Sequence, residues 1–303
     1  MNIKLQVTRR EFTKSTAAAT AAIASGIVAV EQSSAAPASK AKAGAAANEL
    51  IDTNVTLGRW PFRRLPLDET PALVAKLRRH GVTQAWAGTF DGIFHKDVAA
   101  ANARLAEECH QHGRGLLVPF GSVNPALPAW EEDLRRCVEV HKMPGIRLHP
   151  NYHGYRLDAP EFAKLLSLAA ARRCVVQIAA DMEDERMQHR LAGVPHADLA
   201  PLLPLLANKL APRVVVLNWF RAAKTDLVKQ LAGAGASFDI ATVESVGGVA
   251  NLLRQISAER VLFGSHAPFF YFESATLKLK ESALLAEQEL ALRSGNAGRL
   301  LPA

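Results

Sequence analysis

From residue 49 onward, short β-rich runs alternate with stretches of helical periodicity, and they do so eight times. The candidate strands are 49–57, 82–89, 115–123, 145–150, 174–180, 213–219, 236–241 and 260–265. Between them, apolar residues recur at i, i+3, i+4 spacing over 70–80, 97–112, 129–141, 161–173, 199–210, 225–232 and 248–256. Asp97 and Asp158 stand where N-caps are expected, and Gly81, Gly113 and Gly235 where helices should stop. Eight strand–helix units in one domain, residues 49–303, predict an α/β fold of the (β/α)8 TIM-barrel type, whose usual size is about 250 residues. A doubly wound open sheet would carry a Gly-rich phosphate turn after its first strand. Here that strand runs into Leu57-Gly58-Arg59-Trp60-Pro61, which lacks it. Residues 273–301 read as one or two closing helices.

The preceding residues have another character. Thr8-Arg9-Arg10-Glu11-Phe12-Thr13-Lys14 leads into an Ala-rich apolar run over 15–30. Paired arginines, an aromatic two positions on, a lysine and a weakly apolar stretch resemble a bacterial twin-arginine export signal. The expected organisation is a signal peptide over 1–38, a flexible tether over 39–48, and a periplasmic or exported barrel. The apolar run is short for a membrane span, so no stable membrane insertion is expected once the signal is removed.

Charge and cysteine content exclude other classes. The net charge is +7, and it is spread without a basic stripe interleaved with aromatics, so nucleic acid is not expected as a partner. Three cysteines, Cys109, Cys137 and Cys174, with no CxxC or Cys/His spacing, argue against a disulfide framework and a thiolate zinc site. They read as buried apolar side chains.

Barrel chemistry is expected where strands end, at the C-terminal face. Those ends are polar here. Asp52, Asn54 and Thr56 share one face of the first strand, as Arg147 and His149 share one face of the fourth. The fifth runs into Asp181-Met182-Glu183-Asp184-Glu185-Arg186, and the sixth ends at Asn218. The seventh ends at Asp239, with Glu244 beyond it, and the eighth at Ser265-His266. Inward polar groups need partners, and contributions from so many strands favour a ligand site.

Four segments carry a family resemblance. Ile51-Asp52-Thr53-Asn54-Val55-Thr56-Leu57-Gly58, Gly145-Ile146-Arg147-Leu148-His149-Pro150, Val261-Leu262-Phe263-Gly264-Ser265-His266-Ala267-Pro268 and Gly295-Asn296-Ala297-Gly298-Arg299-Leu300-Leu301 resemble, in order, motifs of the amidohydrolase-related branch of the amidohydrolase superfamily. The resemblance implies a metal-dependent hydrolase or non-oxidative decarboxylase on a (β/α)8 barrel. It places metal ligands on the first, fifth, sixth and eighth strands. Those positions hold Asn54, Thr56, Ala179, Asn218 and His266. Neutral amides and hydroxyls are poor zinc ligands, so no metal cofactor is expected. The alternative is a rebuilt divalent site from His149, His153, His266 and a nearby carboxylate.

The expected activity is hydrolysis of a small molecule at the barrel mouth. His149, His266, Asp52 and Asp239 are the catalytic candidates, the two histidines as acid and base. Asn54, Thr56, Arg147, Asn218, Trp60 and Phe269 are the substrate-binding candidates. Arg147 or Arg221 would grip a carboxylated substrate, and Asp181, Glu183 or Asp184 would orient a histidine or activate water. The acidic run 183–186 also reads as a solvated loop, and His196 as a surface or capping residue. A non-catalytic exported binding protein, a decarboxylase and a lactonase are the alternatives, and aromatics exposed together at the mouth would instead make a homo-oligomer interface.

Overall fold

The structure, a computed structural model, describes residues 49–207 and 213–301. The twin-arginine segment and the tether lie outside the described residues. Eight parallel strands form one sheet in sequence order: β1 (Ile51–Leu57), β2 (Gln84–Thr89), β3 (Leu117–Ser122), β4 (Gly145–Leu148), β5 (Val175–Ala179), β6 (Val214–Leu217), β7 (Ser237–Asp239) and β8 (Val261–Leu262). The intervening helices are α1 (Thr70–Arg79), α2 (Val98–Gly113), α3 (Trp130–Arg135, continued by a π-turn over Arg136–Val140), α4 (Pro160–Ala171), α5 (Leu202–Ala207), α6 (Thr225–Gly233) and α7 (Gly248–Leu253). α8 (Phe272–Lys280), α9 (Ala286–Leu290) and α10 (Asn296–Leu300) follow β8. This is the (β/α)8 barrel that the alternation predicts.

The strands are shorter than their β-rich runs, most of all β8. The reason lies at the mouth, where backbone groups leave the ladder and bond to side chains and loops. Ser265 N–H donates to Asp52 Oδ1 (2.9 Å) and Asn218 N–H to Asp239 Oδ1 (2.9 Å). The ring closes between β1 and the segment after β8. Thr53 N–H and its hydroxyl both donate to Phe263 O (3.0 and 2.8 Å), and Thr56 N–H donates to Ala267 O (2.9 Å).

Cap chemistry holds in part. Asp97 Oδ1 accepts from Ala100 N–H at 2.9 Å. Asp158 is one residue too early: α4 is capped at Ala159, and Arg156 occupies the Asp158 carboxylate (2.9 and 2.6 Å). Gly113 is the last residue of α2, and the left-handed position falls on Arg114 (φ 46°).

Three apolar clusters order the interior. The largest fills the layer between sheet and helices. A second, with Ile51, Trp86, Phe120, Val175 and Leu262, is joined by Ala297 of α10. A third gathers Trp60, Phe90, Ile93, Ala179 and Met182, with Phe62, Tyr152 and Phe269 against it, on loops beyond the strand ends. The cysteines are buried, and desolvation raises each thiol pKa, as their apolar reading expects.

Candidate active site at the barrel mouth

Asn54 (β1), Asn218 (after β6), Asp239 (β7) and His266 (after β8) meet in one hydrogen-bonded network. When ionised, Asp239 only accepts, and this orders everything else. The Asn54 amide must donate to Asp239 Oδ2 (2.7 Å), and its second N–H goes to Asn218 Oδ1 (2.7 Å). That turns Asn218 Nδ2 toward Asp181 O (3.0 Å) and His266 Nδ1 (3.2 Å). His266 Nδ1 therefore accepts, and Nε2–H donates to Met182 O (2.6 Å). Burial pulls the His266 pKa down to about 3 and pushes Asp239 up to about 6. At neutral pH the imidazole is uncharged with both nitrogens engaged. His266 thus fixes the loop after β5 and is not placed as the acid or base expected of it. Asn218 and His266 both have left-handed backbone (φ 58° and 57°), which Asn tolerates and His accepts at a cost of about 1 kcal/mol. Gly264 lets β8 approach this network: a Cβ there would lie 2.8 Å from the Asp239 side chain.

Asp52 and Arg147 are engaged elsewhere. Asp52 Oδ1 accepts from Asn54 N–H (3.1 Å) and Ser265 N–H, and Oδ2 from the Ser265 hydroxyl (2.5 Å). It clasps the β1–β8 seam and faces no mouth cavity, which revises the catalytic role expected for it. Burial raises its pKa to about 6. All five guanidinium N–H groups of Arg147 have acceptors: Gln177 Oε1 (2.8 Å), Val55 O (2.8 Å), Thr56 Oγ1 (3.2 Å), Trp86 O (3.0 Å) and Thr53 O (3.5 Å). Gly88 makes the space, since a Cβ there would lie 2.9 Å from Arg147 Nη1. Burial lowers the Arg147 pKa to about 10, while Asp239 and Asp52 favour its charge. The fork is spent inside the barrel, so the substrate grip expected of Arg147 and the substrate contact expected of Thr56 are corrected to internal bonding.

Above this layer lies an aromatic lid. Trp60 packs edge-on against Phe90 (5.3 Å), Phe94 (5.2 Å), Tyr152 (6.1 Å) and Phe269 (5.0 Å). Trp60 and Phe269 therefore meet, as expected for a wall of the mouth. Polar atoms here lack partners: both ring nitrogens of His149, the Tyr152 hydroxyl, Trp60 Nε1, Asp181 Oδ2 and Glu183 Oε2. Burial, then the charges of His153 and Arg147, hold His149 well below the ordinary imidazole pKa.

Beside the lid, the loop after β5 encloses a cavity of about 360 Å³, walled by Asp181, Glu183, His196, Asn218, Arg221 and His266 among others. His196 Nδ1 meets Asp181 Oδ1 at 2.6 Å. Burial raises the Asp181 pKa, and His196 opposes that. Arg221 is held between two carboxylates, its Nε on Glu244 (2.7 Å) and Nη1 on Asp184 (3.0 Å). The acidic run is only partly a solvated loop. Asp184 caps a 3₁₀ turn over Glu185–Met187, but Glu183 is 97% buried by its side-chain exposure of 3%. The Asp181–His196 pair is what sequence reading misses: the residues sit 15 apart on an irregular loop with no period to read. Asn218 and His266 reach this cavity; Asn54 and Asp239 lie behind them, and His149 is not in its wall.

A metal centre does not fit these residues. Asn54, Asn218 and His266 saturate one another, and Ala179 and Thr56 offer no competent ligand. Among the described residues no three His, Cys, Asp or Glu side chains gather so that they could hold a metal ion.

The family model described as amidohydrolase matches residues 56–219, just over half of the chain. The chain belongs to the amidohydrolase family. No curated protein matches it. Among solved structures it is similar to a putative amidohydrolase from Staphylococcus aureus (TM-score 0.64, 11% identity, covering 84% of this chain and 99% of that one). It is also similar to 5-carboxyvanillate decarboxylase from Sphingomonas paucimobilis (TM-score 0.63, 12% identity, 84% and 98%). A third is a probable 2-pyrone-4,6-dicarboxylic acid hydrolase from Acinetobacter baumannii with citric acid bound (TM-score 0.58, 13% identity, 83% and 98%). At these identities the likeness shows the fold, and any chemistry of this chain has to be read from its own side chains.

Proposed function

We propose that this amidohydrolase-family chain hydrolyses a small molecule at its barrel mouth, with an imidazole–carboxylate pair taking the place of the family metal centre. The 2.6 Å contact between His196 Nδ1 and Asp181 Oδ1 on the wall of the mouth cavity carries the reading. Asp181 accepts the Nδ1 proton, fixing the tautomer that leaves Nε2 as base. Nε2 takes a proton from water as the oxygen adds to the substrate's electrophilic carbon. Nε2–H then returns the proton to the departing nitrogen or oxygen as its bond to carbon breaks. His149, with two unpartnered nitrogens, lies beneath the lid and outside the cavity wall, and Asp239 and Asp52 act by positioning.

The test is turnover of lactone, amide and ester panels by chelator-treated protein. Metal-free turnover that His196→Ala lowers by about 10²–10⁴-fold supports the reading. Turnover only with added metal, or a fully active His196→Ala, overturns it. The closed network over the family's ligand positions favours a second reading, a binding protein on the same barrel. Saturable binding without turnover, indifferent to His196→Ala, would select it. The export signal belongs to the same proposal: Arg9→Lys with Arg10→Lys should leave the protein in the cytoplasm of its host.

A further inference from the structure

Surface charge is matched differently at the two ends of the barrel. At the mouth, carboxylates hold the arginines of the strand-to-helix loops: Arg63 is on Glu183 (2.8 Å), Arg156 on Asp158 (2.6 Å) and Arg221 on Asp184 (3.0 Å). The opposite end, where helices turn into strands, carries cations without partners. Its turns hold seven described Lys or Arg residues and one carboxylate, Glu259. Arg79, Arg114, Lys142, Arg173, Arg213 and Arg260 stand at six of the seven helix-to-strand connections. Among the described residues none of these six forms an ion pair. Five of them are exposed and Arg260 is half-buried. Arg260 Nη1 also reaches the remaining connection, between α6 and β7, where it donates to Gly235 O (2.9 Å). The helix dipole favours cations in a last helical turn. It does not call for one at the left-handed residue beyond it, where Gly is cheapest. Yet that residue is Arg114 (φ 46°) after α2, Lys142 (φ 54°) after the π-turn of α3 and Arg173 (φ 55°) after α4. Three successive turns keep a long cation where glycine would fold more easily.

We propose that this end of the barrel docks on the surface of an anionic lipid bilayer, its helix-to-strand turns against headgroup phosphates and its mouth turned away from the membrane. The contact is peripheral and needs no inserted segment. The cations are distributed turn by turn around one end of a cylinder, a pattern that suits a plane of headgroups. The turns contain no Phe, Tyr or Trp, so they offer no stacking platform for nucleic-acid bases. Basic side chains at a bilayer surface add attraction residue by residue, and salt screens it. This proposal is independent of the chemistry at the mouth.

The experiment is cosedimentation of the full chain with vesicles of phosphatidylcholine containing about one third phosphatidylglycerol, against vesicles of phosphatidylcholine alone. The chain should bind the anionic vesicles at low salt, leave them at about 0.5 M salt, and ignore the neutral ones. Two triple variants remove the same charge from opposite ends. Arg114→Gly with Lys142→Gly and Arg173→Gly should weaken anionic-vesicle binding at least about tenfold. Its melting temperature should stay level or rise, because glycine relieves the left-handed turns; a gain in stability with a loss of binding is not what unfolding produces. Lys96→Gln with Arg190→Gln and Lys224→Gln, exposed cations of the mouth loops, should bind within about twofold of the unchanged chain. Residues 1–48 are the same in all three chains, so the difference between the variants reads the barrel alone. Equal binding to neutral vesicles, equal losses from the two variants, a glycine variant that binds like the unchanged chain, or binding to duplex DNA but not to the vesicles would each overturn the proposal.

Discussion

The barrel interior and the barrel mouth are built from similar residue types to opposite ends. Inside, Arg147, Asn54 and Asp239 have their polar groups matched, as do Asn218 and His266 where the network meets the mouth cavity. Beyond the strand ends, His149, Tyr152, Asp181 and Glu183 keep buried atoms with no partner. A satisfied buried network makes a rigid platform, whereas unsatisfied groups cost free energy that a ligand can recover. The contrast separates the polar strand-end residues into those that hold the barrel and those available for chemistry.

The contrast breaks most visibly at Arg147. Arg147→Met leaves two buried carboxylates without their nearby cation and should cost about 3–5 kcal/mol, read as a lowered urea midpoint; a change under about 1 kcal/mol would mean the interior is not held by this group. His196→Ala should do the opposite, lowering turnover about 10²–10⁴-fold while stability moves within about 0.5 kcal/mol, as its half-exposed position implies.

The interior also has a pH signature. Asp239 and Asp52 titrate at about 6 in the fold against 3.8 ordinarily, so each binds a proton more readily when folded. Their stabilisation is full below about pH 4 and is lost as pH rises through 6, about 3 kcal/mol each. His266, at about 3 against 6.5, opposes them: its contribution is present above pH 6.5 and is lost as pH falls toward 3. Urea unfolding at pH 4, 5 and 6 should show Asp239→Asn tilting the profile toward stability at higher pH and His266→Gln tilting it toward lower pH. Parallel profiles for the two variants would remove the charge states assigned here.

The smallest effect is a matched pair. Thr53→Val deletes the interior bond to Phe263 O and should cost about 1 kcal/mol. Tyr152→Phe deletes a hydroxyl that bonds to nothing and should leave stability unchanged or slightly raised. Equal losses in a thermal melt would erase the distinction between the regions.

The architecture was legible in residue order because strand and helix periods are local properties. The network was partly legible too: Asn54, Asn218, Asp239 and His266 sit at strand ends, where barrel geometry brings them together. Parity put Arg147 and His149 on one face, but not how far along the axis each lies, and that depth decides that one is bonded inside and the other is left bare. The Asp181–His196 pair and the burial of Glu183 depend on how an irregular loop folds back, and no period announces it.

The clasp between Asp52 and Ser265 joins positions 213 residues apart. A nascent chain therefore carries an open β1 edge until nearly all of it has been synthesised, and any product ending before Phe263 loses the acceptor of Thr53 as well as the Ser265 donors to Asp52. Such fragments keep unpaired edges on β1 and on their last strand, the kind of surface that templates aggregation. For this chain, closing the barrel is a C-terminal event, made at a single seam.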